Sequence, residues 1–323
     1  MQPTDAYDAE RWPGIEDYDR GQLKFSRLKW EAIRHHLPES LKGRRVLDVG
    51  CWSGYTSLAF ALDGADVTGF DVVGPRLDTA REQAERFGVE VDFEQRNLFR
   101  VGEWMDKPYD IVWSAGIVHN MMQPRRAVFC MAHASSGWLV IECRTDDVPW
   151  GQLRVVESHE GDYHTQTAHI PSPRWMEAVL CAAGFEIKAR GIRYTGDRSW
   201  FVARRRAEII GDESTDFDAL PDGTIAVVPI SHPVVAAVEA TADGADMYGA
   251  SGAPSWLTDD IVRRFDPAQF VPAIYNHQTG RIGDGERRIR AARRLGLYRV
   301  KVMRYLGDLS PSIYPGCSSE GGV

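Results

Sequence analysis

Apolar residues in short blocks, separated by polar helical stretches, dominate the first two thirds of the chain. Residues 45–49 (RVLDV) read as a buried strand that runs into a glycine turn, a helix and a second strand at 66–70. A helix at 75–87 begins on a proline, which suits a first helical turn. Strands follow at 90–94, 109–114 and 138–142, with a helix at 124–134 between the last two. After a long polar loop at 144–172 come a helix at 173–183 and a pair of strands, 185–192 and 199–204, expected to run antiparallel. Strands alternating with helices predict an α/β, doubly wound sheet of Rossmann type. Upstream, Phe25, Leu28, Ala32 and Ile33 recur at helical spacing and predict a helix over 22–36. It is read either as packing at the sheet edge, with 12–20 as an arm near the ligand mouth, or as a plain surface helix.

Past residue 206 the pattern changes. Residues 207–223 are acidic and rich in turn formers, with weak periodicity, and read as a linker. A strand at 224–230 opens a second unit that runs to the last residue, 323. Two domains, 1–206 and 224–323, suit a chain of this length with 43% hydrophobic residues. The net charge of −8 argues against a surface that coats nucleic acid, although a local basic groove remains compatible with it. Five scattered cysteines without a CxxC pair, and an acidic N-terminus without a long apolar run, point to a reduced cytoplasmic setting with no membrane span.

The chemistry concentrates in residues 46–71. Gly50 and Gly54 allow a tight turn and close approach to a ligand. Asp71, about 20 residues beyond the turn, ends the second strand where a carboxylate can accept hydrogen bonds from two ribose hydroxyls. The spacing is not GxGxxG, so a pyrophosphate is not the expected ligand. Plainer readings are a dinucleotide-binding unit or a βαβ with no ligand.

The run VLDVGCWSG resembles motif I of class I S-adenosylmethionine-dependent methyltransferases. This resemblance implies a seven-stranded Rossmann-like sheet and S-adenosyl-L-methionine as cofactor. It implies a site built from Asp48, toward the methionyl ammonium, with Gly50, Cys51, Gly54, Asp71, Asn97 near the adenine edge, and Ser114. Three further segments, DIVWSAGIVHNMMQPRRAV, GWLVIECRT and GDYHTQTAHIPSPRWMEAVLCAAGFEI, are similar to the branch that contains the bacterial tRNA wobble-uridine carboxymethyltransferase (CmoB-like). In the member that uses a carboxylated cofactor, a lysine, a tyrosine and an arginine read the extra carboxylate. Here His119 stands at the tyrosine position and Arg198 matches the arginine, but no lysine upstream of motif I aligns. Ordinary methyl transfer to a small-molecule acceptor is therefore the expectation, ahead of carboxymethyl transfer. His119, following the fourth strand, is the candidate base, with packing against the cofactor or helix capping as the alternative. Glu142 would orient substrate or base, or serve as a structural acceptor. The loop 144–172, carrying Trp150, His159, His164 and His169, is expected to cover the acceptor; its histidine spacing fits no metal template.

In the second unit, FDPAQFVPAIYNHQTGRIGDGERRIRAARRLGLYRVKVMRY resembles the N-terminal domain of ParB and its sulfiredoxin-like relatives through the GERRIRA box. A smaller α+β, ParB-like domain is thus expected. Gly285 opens a helix whose N–H groups favour an anion, and Arg287, Arg288 and Arg290 offer guanidinium forks to phosphate oxygens. Glu286 would hold a metal ion bridging the phosphates of a nucleoside triphosphate with Mg2+. A solvated arginine face is the plain alternative, since Ile289, Ala292 and Leu295 already give this helix a buried side. Competing functions are a nucleotide-responsive adaptor on DNA or RNA, in which the methyltransferase fold only senses cofactor, and a kinase-like activity of the second unit.

Overall fold

A computed structural model of the protein describes residues 20–157, 167–192, 197–238 and 272–304. The helix expected near the start is α1 (Arg20–Ile33), ending in a single 3-10 turn over Arg34–His36. The first sheet is built from β1 (Arg45–Val49), β2 (Asp66–Asp71), β3 (Asp92–Gln95), β4 (Tyr109–Ala115), β5 (Ser135–Arg144), β8 (Phe185–Ile192) and β9 (Arg198–Arg205). Its order, β3-β2-β1-β4-β5-β9-β8, is that of a doubly wound sheet. β9 runs antiparallel to both β5 and β8, and its pairing with β8 is the one the sequence predicts. Four principal helices cover the faces: α2 (Tyr55–Leu62), α3 (Gly74–Phe87), α5 (Pro124–Ala134) and α6 (Pro173–Ala182). A single turn, α4 (Val101–Trp104), follows β3.

The strands are buried on both faces, so their alternate residues feed two cores. Leu47, Val49, Val112 and Ile141 meet α5 and α6, while Val46, Ile111, Trp113 and Val140 meet α1, α2 and α3. The helix α1 lies across this second face rather than standing free. Trp30 packs edge-on against Phe60, 4.8 Å between ring centroids, and reaches Trp113. Trp30 and Ile33 carry the burial; Leu28 and Ala32 are only half-buried, and the side chain of Phe25 lies outside the described residues.

Two expectations are corrected. The segment 144–172 is not a plain loop, because β6 (Leu153–Glu157) and β7 (Thr167–Pro171) pair as an antiparallel hairpin whose β7 packs on the turn Val118–Asn120. The segment 207–223 is not a linker. Its residues Glu208–Ile210 form β10, parallel to β11 (Ile225–Pro229), and Phe217 is buried in the core of the second unit. An acidic stretch with few apolar residues hides both facts, since one strand of three residues and one aromatic side chain carry the packing.

The second unit adds α7 (Pro233–Ala236), β12 (Ala273–Asn276), β13 (Arg281–Asp284), α8 (Glu286–Arg294) and β14 (Arg299–Arg304). Its mixed sheet has the order β10-β11-β14-β12-β13. It rests on the first through Ala182, Ile225, Ile274 and Met303. Among the described residues no helix is long and apolar enough to cross a membrane.

Candidate functional site

The carboxyl ends of β1 and β2 bring Asp48, Gly50, Cys51, Gly54 and Asp71 together. Gly50 and Gly54 adopt positive φ, 69° and 87°, as the turn requires. The space their missing Cβ atoms leave is filled by protein. A Cβ on Gly50 would lie 2.3 Å from Ile117 Cδ1, and one on Gly54 would lie 2.9 Å from Ala80 and Phe93. These glycines therefore serve helix–sheet packing as much as ligand approach. The amides of Gly50 and Cys51 both donate to Phe70 O, at 2.8 and 3.0 Å. Two amides that would otherwise point at a phosphate are thus already used.

Asp71 is held by the backbone. Its two carboxylate oxygens accept from Trp52 N–H (3.2 Å) and Val73 N–H (2.9 Å). A carboxylate has about four acceptor sites, so lone pairs remain for a ligand's hydroxyls. Trp52 sits in the left-handed region with φ 55°, and the Arg76 guanidinium stacks on its ring. Beyond Asp71, a cleft of about 430 Å³ opens between Val72, Asn97 and Trp104. Asn97 accepts from Phe99 N–H through its side-chain oxygen at 2.9 Å, and its side chain lines the cleft.

Asp48 is buried and accepts from the Ser57 hydroxyl at 2.7 Å. Burial raises its pKa to about 7, against the opposing pull of Ser57 and of the Lys29 charge. Burial likewise pushes the Cys51 thiol far up, so it is no nucleophile. Ser114, next to the last residue of β4, has a buried hydroxyl with no hydrogen-bond partner among the described residues.

His119 is buried and follows β4 in the turn under β7. Burial, with the nearby Arg198 charge, lowers its pKa to about 3, although Glu142 opposes this. Its Nδ1 accepts from Arg144 N–H at 3.4 Å, which places the proton on Nε2. The ring is therefore a neutral donor, and a poor base at neutral pH. This revises the expectation that it draws off the acceptor's proton.

Glu142 is fully buried, with both oxygens committed to Arg198 at 2.5 and 3.0 Å and Lys29 Nζ at 3.6 Å. Burial alone would lower the Arg198 pKa, but the Glu142 hydrogen bond and charge leave it raised. Of the two roles open to Glu142, the structural acceptor is the one its geometry fits. Lys29, from α1, is the group sequence reasoning missed. No spacing rule links it to Glu142, and only the fold joins them.

In the second unit Gly285, with φ 96°, caps α8, and Arg288 Nη2 lies 2.8 Å from the place its Cβ would take. Glu286 and Arg290 face each other at 3.6 Å along the helix. The side chain of Arg287 lies outside the described residues, as do His159 and His164. Among the described residues no group of three or more His, Cys, Asp or Glu side chains is arranged to hold a metal ion.

Residues 46–135 match the family described as a methyltransferase domain. The chain is 32% identical over 124 residues to a ubiquinone biosynthesis O-methyltransferase of Erwinia tasmaniensis, covering 38% of this chain and 51% of that protein. The same-named protein of Bordetella avium is 36% identical over 133 residues, 41% of this chain and 55% of its own length. The chain thus spans about half the length of the curated relatives it matches. Among solved structures it is similar to magnesium protoporphyrin IX methyltransferase from Synechocystis with bound S-adenosylmethionine. That likeness has a TM-score of 0.43 at 18% identity, over 57% of this chain and 78% of the other.

Proposed function

We propose that this chain, whose residues 46–135 match a methyltransferase domain, is a class I S-adenosylmethionine-dependent methyltransferase that transfers a methyl group from that cofactor to a small-molecule acceptor. The observation that carries the reading is Asp71. Its carboxylate is fixed by two backbone donors at the end of β2, beside a turn whose amides are already spent. Such an arrangement suits the two hydroxyls of a ribose and not a pyrophosphate. Asp48 supports the reading, because a buried acid with a raised pKa is stabilised by an ammonium group.

When bound, the cofactor supplies a methyl group on a sulfonium, displaced in line by the acceptor. The residues of this chain then have three tasks. Asp71 holds the sugar and Asp48 receives the ammonium, which together fix the donor. His119 presents Nε2–H and the hairpin of β6 and β7 covers the approach, which orients the acceptor and keeps water out. Positioning of this kind supplies much of the rate. The relatives' names make an oxygen nucleophile the acceptor atom in this reading.

A second reading concerns the C-terminal unit, taken as ParB-like and binding a nucleoside triphosphate with Mg2+ through Gly285, Glu286, Arg287, Arg288 and Arg290. It rests on the left-handed glycine at the start of the arginine-rich α8. The two units contact each other near Gly184 and Phe185, at the amino ends of the parallel strands. Cofactor and nucleotide would thus bind at opposite ends of the first sheet, with no ligand shared.

The test is methyl-labelled S-adenosylmethionine incubated with the full chain and a fractionated small-molecule extract. Label should appear in a small-molecule fraction with wild type and not with Asp71→Ala. Equal labelling by both, or none by either, contradicts methyl transfer from this site.

A further inference from the structure

Two residues beside Asp71 break the local rules of their own elements, and they face each other. Gly54 N–H donates to Cys51 O at 2.9 Å, which closes a four-residue turn with Trp52 at its second position. Trp52 has φ 55°, the only positive φ of a residue other than glycine among the described residues. Turns with a positive φ at that position are dominated by Gly, Asn and Asp, and a bulky side chain there is strained. Arg76 stands in the first turn of α3, which holds no acidic residue. The positive end of the helix dipole disfavours a cation at that place. The Arg76 guanidinium nevertheless lies 3.2 Å from the centroid of the Trp52 ring. Each residue is unfavourable in its own element, and together they form a cation–π stack.

The stack bridges the two elements that grip Asp71. Trp52 N–H reaches one carboxylate oxygen from the turn, and Val73 N–H reaches the other from the start of α3. The turn needs Trp52 in the left-handed region. Were Trp52 to leave it, the turn would reopen and the peptide plane carrying its N–H would rotate away from Asp71. Strain of this kind and a half-buried cation–π stack are of the same order, so the one offsets the other. Backbone strain persists only where its surroundings over-determine it, and it concentrates at ligand sites.

We infer that Trp52 and Arg76 are positioning residues for Asp71: their stack holds a strained turn, and the turn aims the carboxylate at the two ribose hydroxyls of the cofactor. The inference rests on the methyl-transfer reading and deepens it, since it gives the tryptophan in the turn a task. Both side chains act through the carboxylate rather than on the cofactor. Losing the stack lowers the fraction of molecules with Asp71 in place, and apparent affinity falls with that fraction.

The test is a double-mutant cycle on the full chain, titrated by calorimetry with S-adenosylhomocysteine and with its 2′-deoxy analogue. Wild type should prefer the ribose form by at least about tenfold, the effect of a hydroxyl paired with a charged acceptor. Arg76→Ala should weaken S-adenosylhomocysteine binding about threefold to tenfold and narrow that preference. Adding Trp52→Gly to Arg76→Ala should recover most of both, since glycine keeps the turn without a stack. Arg76→Gln, of similar reach without the charge, should behave as Arg76→Ala does and stands in for it if that variant folds poorly. Unchanged binding in the Arg76 variants overturns the inference. A double variant that binds no more tightly than Arg76→Ala also overturns it, because a side chain then meets the ligand itself. A loss in Arg76→Ala that is equal for the two ligands does the same, by reducing the stack to a structural contact. Failure of wild type to bind S-adenosylhomocysteine, or to prefer it over the analogue, sinks the reading of Asp71 itself and this inference with it.

Discussion

The carboxyl end of the first sheet and the arginine-rich helix of the second unit both concentrate charge, but they spend it differently. In the first, Asp48, Asp71, His119, Glu142 and Arg198 are buried or nearly so; strands carry all but His119, which stands in the turn after β4. In the second, Glu286 and Arg290 pair along α8 with their side chains partly exposed, and Arg293 donates to Val235 O in the adjoining α7. Buried polar groups are costly unless something answers them, whereas exposed pairs contribute little either way. Charge held in the interior is therefore the stronger pointer to a ligand, and the first unit carries the stronger functional claim.

The largest expected effect comes from breaking the buried pair. Glu142→Gln leaves Arg198 and Lys29 without their carboxylate and should destabilise the fold by about 3–5 kcal/mol, read by urea denaturation. A loss below about 1 kcal/mol would show that the triad is solvated and the contrast between regions overstated.

His119 gives the next effect. His119→Asn keeps an acceptor for Arg144 N–H, and turnover should fall about tenfold or less if the ring only orients the acceptor. A fall of about 10²–10⁴ would restore the role of base. Protonation linkage adds a second readout. The His119 pKa, lowered to about 3, contributes stability present above the unfolded value near 6.5 and lost as pH falls toward 3. In His119→Asn that acid-side loss should shrink.

Asp48 has the opposite slope. Its pKa is raised to about 7, so its contribution is full below the unfolded value near 3.8 and is lost as pH rises through 7. Asp48→Asn should raise the midpoint of thermal unfolding by several degrees at pH 8 and leave it nearly unchanged at pH 4. A cationic ligand favours the ionised form, so cofactor affinity should rise with pH through 7 in wild type and stay flat in the variant. The smallest effect belongs to α8. Arg290→Ala should change stability by about 0.5 kcal/mol or less, and calorimetry with ATP and Mg2+ should show whether it matters to a ligand. ATP binding that survives Arg288→Ala and Arg290→Ala together would contradict the nucleotide reading.

Much of this was legible in the sequence where local pattern and fold agree. The blocks around Val46, Val67 and Ile111 were legible as strands, because strands buried on both sides must be apolar throughout. The place of Asp71 was legible because it is the last residue of β2, at the end of an apolar run. The hairpin of β6 and β7 was not, since Leu153–Glu157 is short and sits in a polar stretch. Lys29 was invisible for a different reason. Its meeting with Glu142 is a product of α1 crossing the sheet face, where Trp30, one residue on, packs against Trp113. The tautomer of His119 depends likewise on the Arg144 amide, which only β5 brings near.

The central claim is that Asp71 grips the sugar of an adenosyl sulfonium cofactor. Calorimetric titration of S-adenosylhomocysteine into the full chain tests it most directly. Wild type should bind in the micromolar range, and Asp71→Ala should lose about tenfold to a hundredfold in affinity, the cost of removing charge-assisted hydrogen bonds. Equal affinities in the two proteins would contradict it.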